Sequence, residues 1–331
     1  MDWNNILDID PLPWLLETDP HNPGIRYFAL KELMGKSEDN PEVIQARKEI
    51  MESGPVPVIL NAQEAEGYWV YPGAGYTPKY KGTVWQIMFL SELGADPKDN
   101  RIVKSCEYLM SHSLDEDGAF SCNPKKDYSI SCLNGNLIYA MQRLGFEDDP
   151  RIRKSILWMA SSVINPECTL KYCGYKFACL VNDNLPCAWG MVKALKAFSF
   201  IPEKKRSSEI KEAINSCTTY LNDYNIAKAN YPPSKEISKH WFNLGFPFSY
   251  WSDFLENATF LAINGALSKH QIQPIIDLLL AKRDKNGFWR PENRSMNNRM
   301  WLNPETRKRG SSSKWVTLRV LRFFQALGQT G

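Results

Sequence analysis

Gln63-Glu64-Ala65-Glu66-Gly67-Tyr68-Trp69 lies just before a long return loop that leads into a strongly apolar segment. Glycine at 67 admits a turn with positive φ, and the aromatic residue two positions later packs back on the helix ends. The same form returns at Arg283-Asp284-Lys285-Asn286-Gly287-Phe288-Trp289 and, more loosely, at Leu114-Asp115-Glu116-Asp117-Gly118-Ala119-Phe120. These residues read as structural: a turn with a buried aromatic side chain.

Working outward, six segments of one shape open at a turn or polar residue and run about three helical turns to Leu-Gly or a similar stop. They are Pro23 to Gly35, Gly82 to Gly94, Asn134 to Gly145, Pro186 to Ala197, Ser249 to Gly265 and Lys314 to Gly328, each apolar around most of its circumference. Between them lie amphipathic helices at Pro41 to Ser53, Arg101 to Ser113, Pro150 to Val163, Ser208 to Asp223 and Lys269 to Arg283. In these the apolar residues fall at helical spacing, as at Ile210, Ile214, Cys217 and Leu221, so one stripe is buried and the other faces water. Connections from buried to amphipathic helix are short and combine a Gly stop with Asp or Pro start signals. The return connections are longer and richer in Gly, Pro and aromatic residues.

Such alternation fits either a linear solenoid of helix pairs or two concentric rings closing into a barrel. The return loops decide for the ring. Residues 63–69 match the QxxxGxW repeat, and the chain thereby resembles the terpenoid cyclase and protein prenyltransferase β-subunit superfamily of squalene-hopene cyclase type. The resemblance implies an all-α fold, an (α/α)6 toroid with inner and outer rings, as a single domain over 1–331.

Bulk composition is consistent with that architecture. The 331 residues, 43% of them hydrophobic, suffice for one large core. The opening Met-Asp-Trp-Asn-Asn lacks the basic start of a secretory signal, and no window reaches the roughly 18 apolar residues of a membrane span. A cytoplasmic protein without an integral membrane segment is expected, its eight cysteines being thiols rather than a disulfide framework. A net charge of +3 gives no ground for a nucleic-acid partner.

In a closed double ring the N-termini of the buried helices converge on one end of the cavity. First-turn residues are therefore the site candidates. The aromatic and polar set Trp85, Cys132, Asn134, Asn136, Trp189, Tyr250, Trp251 and Lys314 is expected to bind substrate, in the manner of a small-molecule pocket. Asp253 stands out as a general acid, one turn into a buried helix, with capping or pairing to Lys or Arg as its structural alternative; Glu256 is a second acid, and His240 lies within reach of the cavity. Pro186 opens a helix at Cys187, where the dipole would activate a thiol. Cys187 and Cys179 are accordingly the thiol candidates, with small buried hydrophobes as the other reading.

The chemistry of the superfamily does not transfer directly, because the DxDD, DCTAE and D-x-C signatures are all missing from the sequence. A thiol pair at the mouth of an α/α barrel is similar to linalool dehydratase-isomerase, which implies acid–base work on a terpene alcohol. The spacing of Cys168, Cys173, Cys179 and Cys187 matches no common zinc or iron–sulfur pattern. No cofactor is expected; Zn through the thiols or Mg with a diphosphate are the alternatives.

Ten basic against three acidic residues over 282–314 give that loop +7 and leave −4 for the rest of the chain. Solvation explains such a run, while a lid that holds an anionic substrate explains it functionally. The expectations are then an enzyme for acid-initiated cyclisation, isomerisation or dehydration of an isoprenoid or similarly apolar molecule, or a non-catalytic toroid that binds a hydrophobic ligand or a partner protein. A thiolate metal site is the third.

Overall fold

The computed structural model describes residues 3–165, 180–181, 185–231, 239–249, 251–292 and 311–329. Thirteen α-helices among the described residues organise the chain. They are α1 (Leu12–Leu16), α2 (Pro23–Phe28), α3 (Pro41–Glu52), α4 (Pro55–Asn61), α5 (Thr83–Leu93), α6 (Asn100–Ser113), α7 (Ser131–Met141), α8 (Pro150–Ile164), α9 (Ala188–Ser199), α10 (Ser208–Asn222), α11 (Phe254–Ile263), α12 (Lys269–Ala281) and α13 (Lys314–Gln329). Wider turns at Ala29–Leu33 and Gln142–Phe146 extend α2 and α7. Leu180–Val181 and Leu185–Pro186 form a two-residue antiparallel pair, β1 and β2.

The helices form two rings. Within the inner ring α5 packs on α7, α7 on α9, α9 on α11 and α11 on α13. Helix α13 then returns to α2, and Gly24 of α2 approaches so close to Leu93 of α5 that an added Cβ would meet its carbonyl at 2.5 Å. Six inner helices thus close on themselves, which excludes a linear solenoid. Helices α3, α6, α8, α10 and α12 each lie against the inner helix before them. The sixth outer place is taken by the N-terminal segment: α1 packs on α2 and α13, Trp14 stacks on Phe288 at 4.0 Å and Asp8 pairs with Arg283.

Local chemistry sets the helix starts. Asn40, Asp99, Asp149 and Ser207 cap four outer helices by accepting a backbone N–H of the first turn, with Pro at the first position of α3 and α8. The ties expected at the Gly-x-aromatic loops are present in all three. Gly67, Gly118 and Gly287 have φ of 102°, 98° and 88°. Two of them lie on the next outer helix, at Lys104 and Lys154, while Gly287 meets Ile9. Trp69 and Trp289 donate their indole N–H to Ile59 and Leu279 carbonyls at 2.8 and 2.7 Å. Both rings are fully buried, each contributing roughly 2–3 kcal/mol of apolar transfer.

Some boundaries move. Helix α7 begins at Ser131, α9 at Ala188 and α11 at Phe254. Asp253 therefore stands outside α11 as its cap instead of one turn within it, its carboxylate accepting the Glu256 N–H at 2.8 Å. The short helices α1 and α4 are additions to the sequence reading.

Candidate functional site

Several expected site residues hold the loop end of the toroid together. Thr83, Asn134 and Thr317, each at the start of an inner helix, accept the backbone N–H of Trp69, Phe120 and Trp289 at 3.1, 2.6 and 3.3 Å. The Asn134 amide also donates to the Phe120 and Ile130 carbonyls, so its groups are committed to the loop. Asn136 donates to the Ser249 carbonyl at 2.6 Å. Trp85 donates to the Tyr76 carbonyl and packs against Tyr76 and Tyr80. Lys314 lies 3.4 Å from Glu17 and over the Trp14 ring.

Other candidates converge. The first turns of α7 and α9 approach at Gly190, where an added Cβ would lie 3.9 Å from Cys187 and 4.0 Å from the Cys132 nitrogen. Cys187 borders Tyr220, whose hydroxyl burial pushes up. From there an aromatic group continues: Trp189 lies 6.2 Å from Trp241, Trp241 stacks on Tyr231 at 5.1 Å, and Tyr231 meets Tyr220 and Tyr224. Asn257 donates to the Tyr231 hydroxyl at 2.6 Å. Trp251 stacks on His240 at 3.9 Å, and burial lowers the imidazole pKa. Cys179 and Tyr250 lie outside the described residues, as do Cys168 and Cys173.

Buried polar atoms in folded proteins nearly always have partners. Among the described residues, Trp189 Nε1, Ser249 Oγ and Asn257 Oδ1 are buried without one. All three belong to the loop end of the inner ring.

Asp253 takes the capping and pairing arrangement. Arg319 of α13 clamps both its oxygens at 2.7 and 2.9 Å, and the fully buried carboxyl is raised by desolvation against the pull of that guanidinium. Deeper along the axis runs a set of charges of which the sequence reading named only Glu256. Lys193, wholly buried, contacts Glu256 at 2.6 and 2.8 Å. Lys196 bridges Glu256 at 3.4 Å and Glu92 at 2.5 Å, and Arg322 pairs with Glu32. Desolvation lowers the Lys193 pKa to about 8. Burial raises Glu92, but Lys196 and Arg143 outweigh it and hold the carboxyl at about 2. Lys193 and Arg319 lie over the Phe248 ring, and Lys196 over Tyr139, so these aromatic faces already hold resident cations. Lysines, arginines and a glutamate within helices otherwise so apolar were the available signal.

Two adjoining clefts of about 380 and 370 Å³ open at the opposite, short-turn end. Arg143, Lys196, Glu32, Tyr139, Phe260 and Ile263 line both. Among the described residues of the basic last loop, Lys282 pairs with Glu292, Arg283 with Asp8 and Arg290 with Asp284. Among the described residues no cluster of His, Cys, Asp and Glu is arranged to hold a metal ion, and no helix is long and apolar enough to cross a membrane.

No protein family matches the sequence, and no curated protein does. Solved structures similar to the chain include type II terpene cyclase MstE from Scytonema without ligand and with merosterolic acid A, its product, both at 12% identity and a TM-score of 0.34 over 83% of this chain and 95% of that one. The complex of the same cyclase with geranylgeranyl dihydroxybenzoate, its substrate, is 11% identical, with a TM-score of 0.32 over 82% of this chain and 95% of that one. The contacts within the chain itself close the double ring of helices into an all-α toroid.

Proposed function

We propose that the loop end of the toroid binds an apolar small molecule bearing one hydroxyl, of the isoprenoid alcohol class, against Trp189, Trp241 and Tyr231. The observation that supports this most is the pair of orphaned atoms in that aromatic group: the Trp189 N–H is a donor without an acceptor, and the Asn257 Oδ1 an acceptor without a donor. A ligand hydroxyl carries an acceptor lone pair for the first and a donor O–H for the second, and either contact satisfies an orphaned atom. An unmet buried donor costs about 1–3 kcal/mol, which a ligand oxygen offsets. The surrounding rings, unlike those along the axis, hold no lysine or arginine among the described residues and so offer apolar faces to the ligand body.

The enzymatic form of this proposal is acid-initiated isomerisation, dehydration or cyclisation of the bound molecule. It is favoured by the approach of the first turns of α7 and α9, which carry Cys132 and follow Cys187, and its candidate proton-transfer groups are Cys187 and Asp253. Binding is tested by calorimetric titration with geraniol. Trp189→Phe keeps an aromatic face but removes the indole N–H together with one fused ring, and it is expected to weaken binding at least about fivefold, the value of one hydrogen bond of ~1 kcal/mol; equal affinity in both proteins contradicts the site. Product formation from terpene alcohols, lost in Cys187→Ala or Asp253→Asn, supports the enzymatic form. Turnover that survives both substitutions rules out these roles.

A further inference from the structure

The short-turn end carries a different chemistry. Arg143 projects into both clefts there. Its guanidinium lies 4.8 Å over the Phe28 ring and 5.5 Å over Tyr139, and donates to the Tyr139 hydroxyl at 2.8 Å. Among the described residues it forms no ion pair, although every cation around it has one: Lys196 with Glu92, Arg322 with Glu32, Lys193 with Glu256, and Arg319 with Asp253. Lys31 and Arg47 on the cleft's outer side share Glu38. Of the five axial cations, Arg143 is thus the one without an ion pair among the described residues, while Glu147 adds a carboxylate to the outer wall of one cleft. A second donor is idle close by, since Arg322 Nη2 is buried on the wall of one cleft without a partner.

The rim has the opposite character. Phe200 and Ile263, 42% and 46% exposed, stand at the lip of the cleft, with Phe28 and Phe260 further in. Large apolar side chains left in water beside one unpaired guanidinium match a molecule that is anionic at one end and apolar along its body.

We propose that this end of the toroid is a separate binding site for a small amphipathic monocarboxylate, with Arg143 as the anion receptor and Phe200 and Ile263 covering the apolar part. Arg143 is suited to the role because ring stacking fixes the plane of its fork while leaving N–H edges free for a bidentate carboxylate. The site is independent of the loop-end proposal, since it shares none of Trp189, Trp241, Tyr231 or Asn257.

Calorimetric titration of the full chain with octanoate, 1-octanol and inorganic phosphate tests it. Octanoate is expected to bind at least tenfold more tightly than octanol, and phosphate not to saturate. Arg143→Met should weaken octanoate at least tenfold and leave octanol unchanged. Phe200→Ser, at an exposed position whose replacement leaves the charged network intact, should weaken octanoate severalfold, and this arm decides the matter if Arg143→Met fails to fold. Octanoate affinity unaltered by the variants, or absent in the parent chain, overturns the proposal, and phosphate binding as tight as octanoate overturns the apolar part of it.

Discussion

Glu92 shows how strongly single residues are determined by the toroid's axis. Its carboxyl, ordinarily near 4.5, is held at about 2 because Lys196 and Arg143 outweigh its burial. A depressed carboxyl contributes stability that is fully present above its unfolded value and is lost as pH falls through the folded one. The window here runs from about pH 4.5 down to about pH 2, and the contribution is on the order of 3 kcal/mol. Glu92→Gln is expected to lower the melting temperature at pH 7 and to flatten its decline below pH 4.5, as thermal melts across that range would record; parallel melting curves for the two proteins contradict the assignment. Lysine and glutamate in the strings Met191-Val192-Lys193-Ala194-Leu195-Lys196 and Ser91-Glu92-Leu93 were legible, but their pairing was not. Lys193 and Glu256 are 63 residues apart and Lys196 and Glu92 are 104 apart, and only the closed ring brings such groups face to face. Asp253 is buried, as the sequence suggests, while its guanidinium partner on α13, 66 residues away, was invisible to local reasoning.

Between elements, α7 packs on α9 at very close range. Gly135 lies against Lys193, where an added Cβ would meet backbone carbon and oxygen at 2.5 Å. Backbone atoms cannot step aside as a flexible side chain does, so Gly135→Ala should force the helices apart and destabilise the fold by roughly 1–3 kcal/mol. Urea unfolding measures this directly, and a midpoint equal to that of the parent chain would show that the two helices tolerate separation. The same close approach sets the height of Lys193 on the axis. Element identity was legible because helical period, Gly stops and Asn, Asp or Ser caps are local signals. The start of α11 was misplaced because Ser249-Tyr250-Trp251-Ser252 continues the apolar pattern, whereas the Asp253 cap stops the helix short.

For the molecule as a whole, closure creates two unlike ends. Inner-helix starts and aromatic loops meet at one, inner-helix ends and arginines at the other, and a paired set of buried charges separates them. The ring itself was foreseeable from the Gly-x-aromatic loops, whose ties recur at Trp69, Phe120 and Trp289. The cleft at the short-turn end was not, since its apolar lip comes from residues such as Phe200 and Ile263 that terminate helices and face water.

The most direct measurement is one titration matrix, in which the parent chain, Trp189→Phe and Arg143→Met are each titrated with geraniol and with octanoate. Two sites of different chemistry predict that Trp189→Phe weakens geraniol alone, Arg143→Met weakens octanoate alone, and saturating octanoate leaves geraniol binding unchanged. Competition between the two ligands, or one substitution that weakens both equally in folded protein, would contradict the division of the toroid into two functional ends.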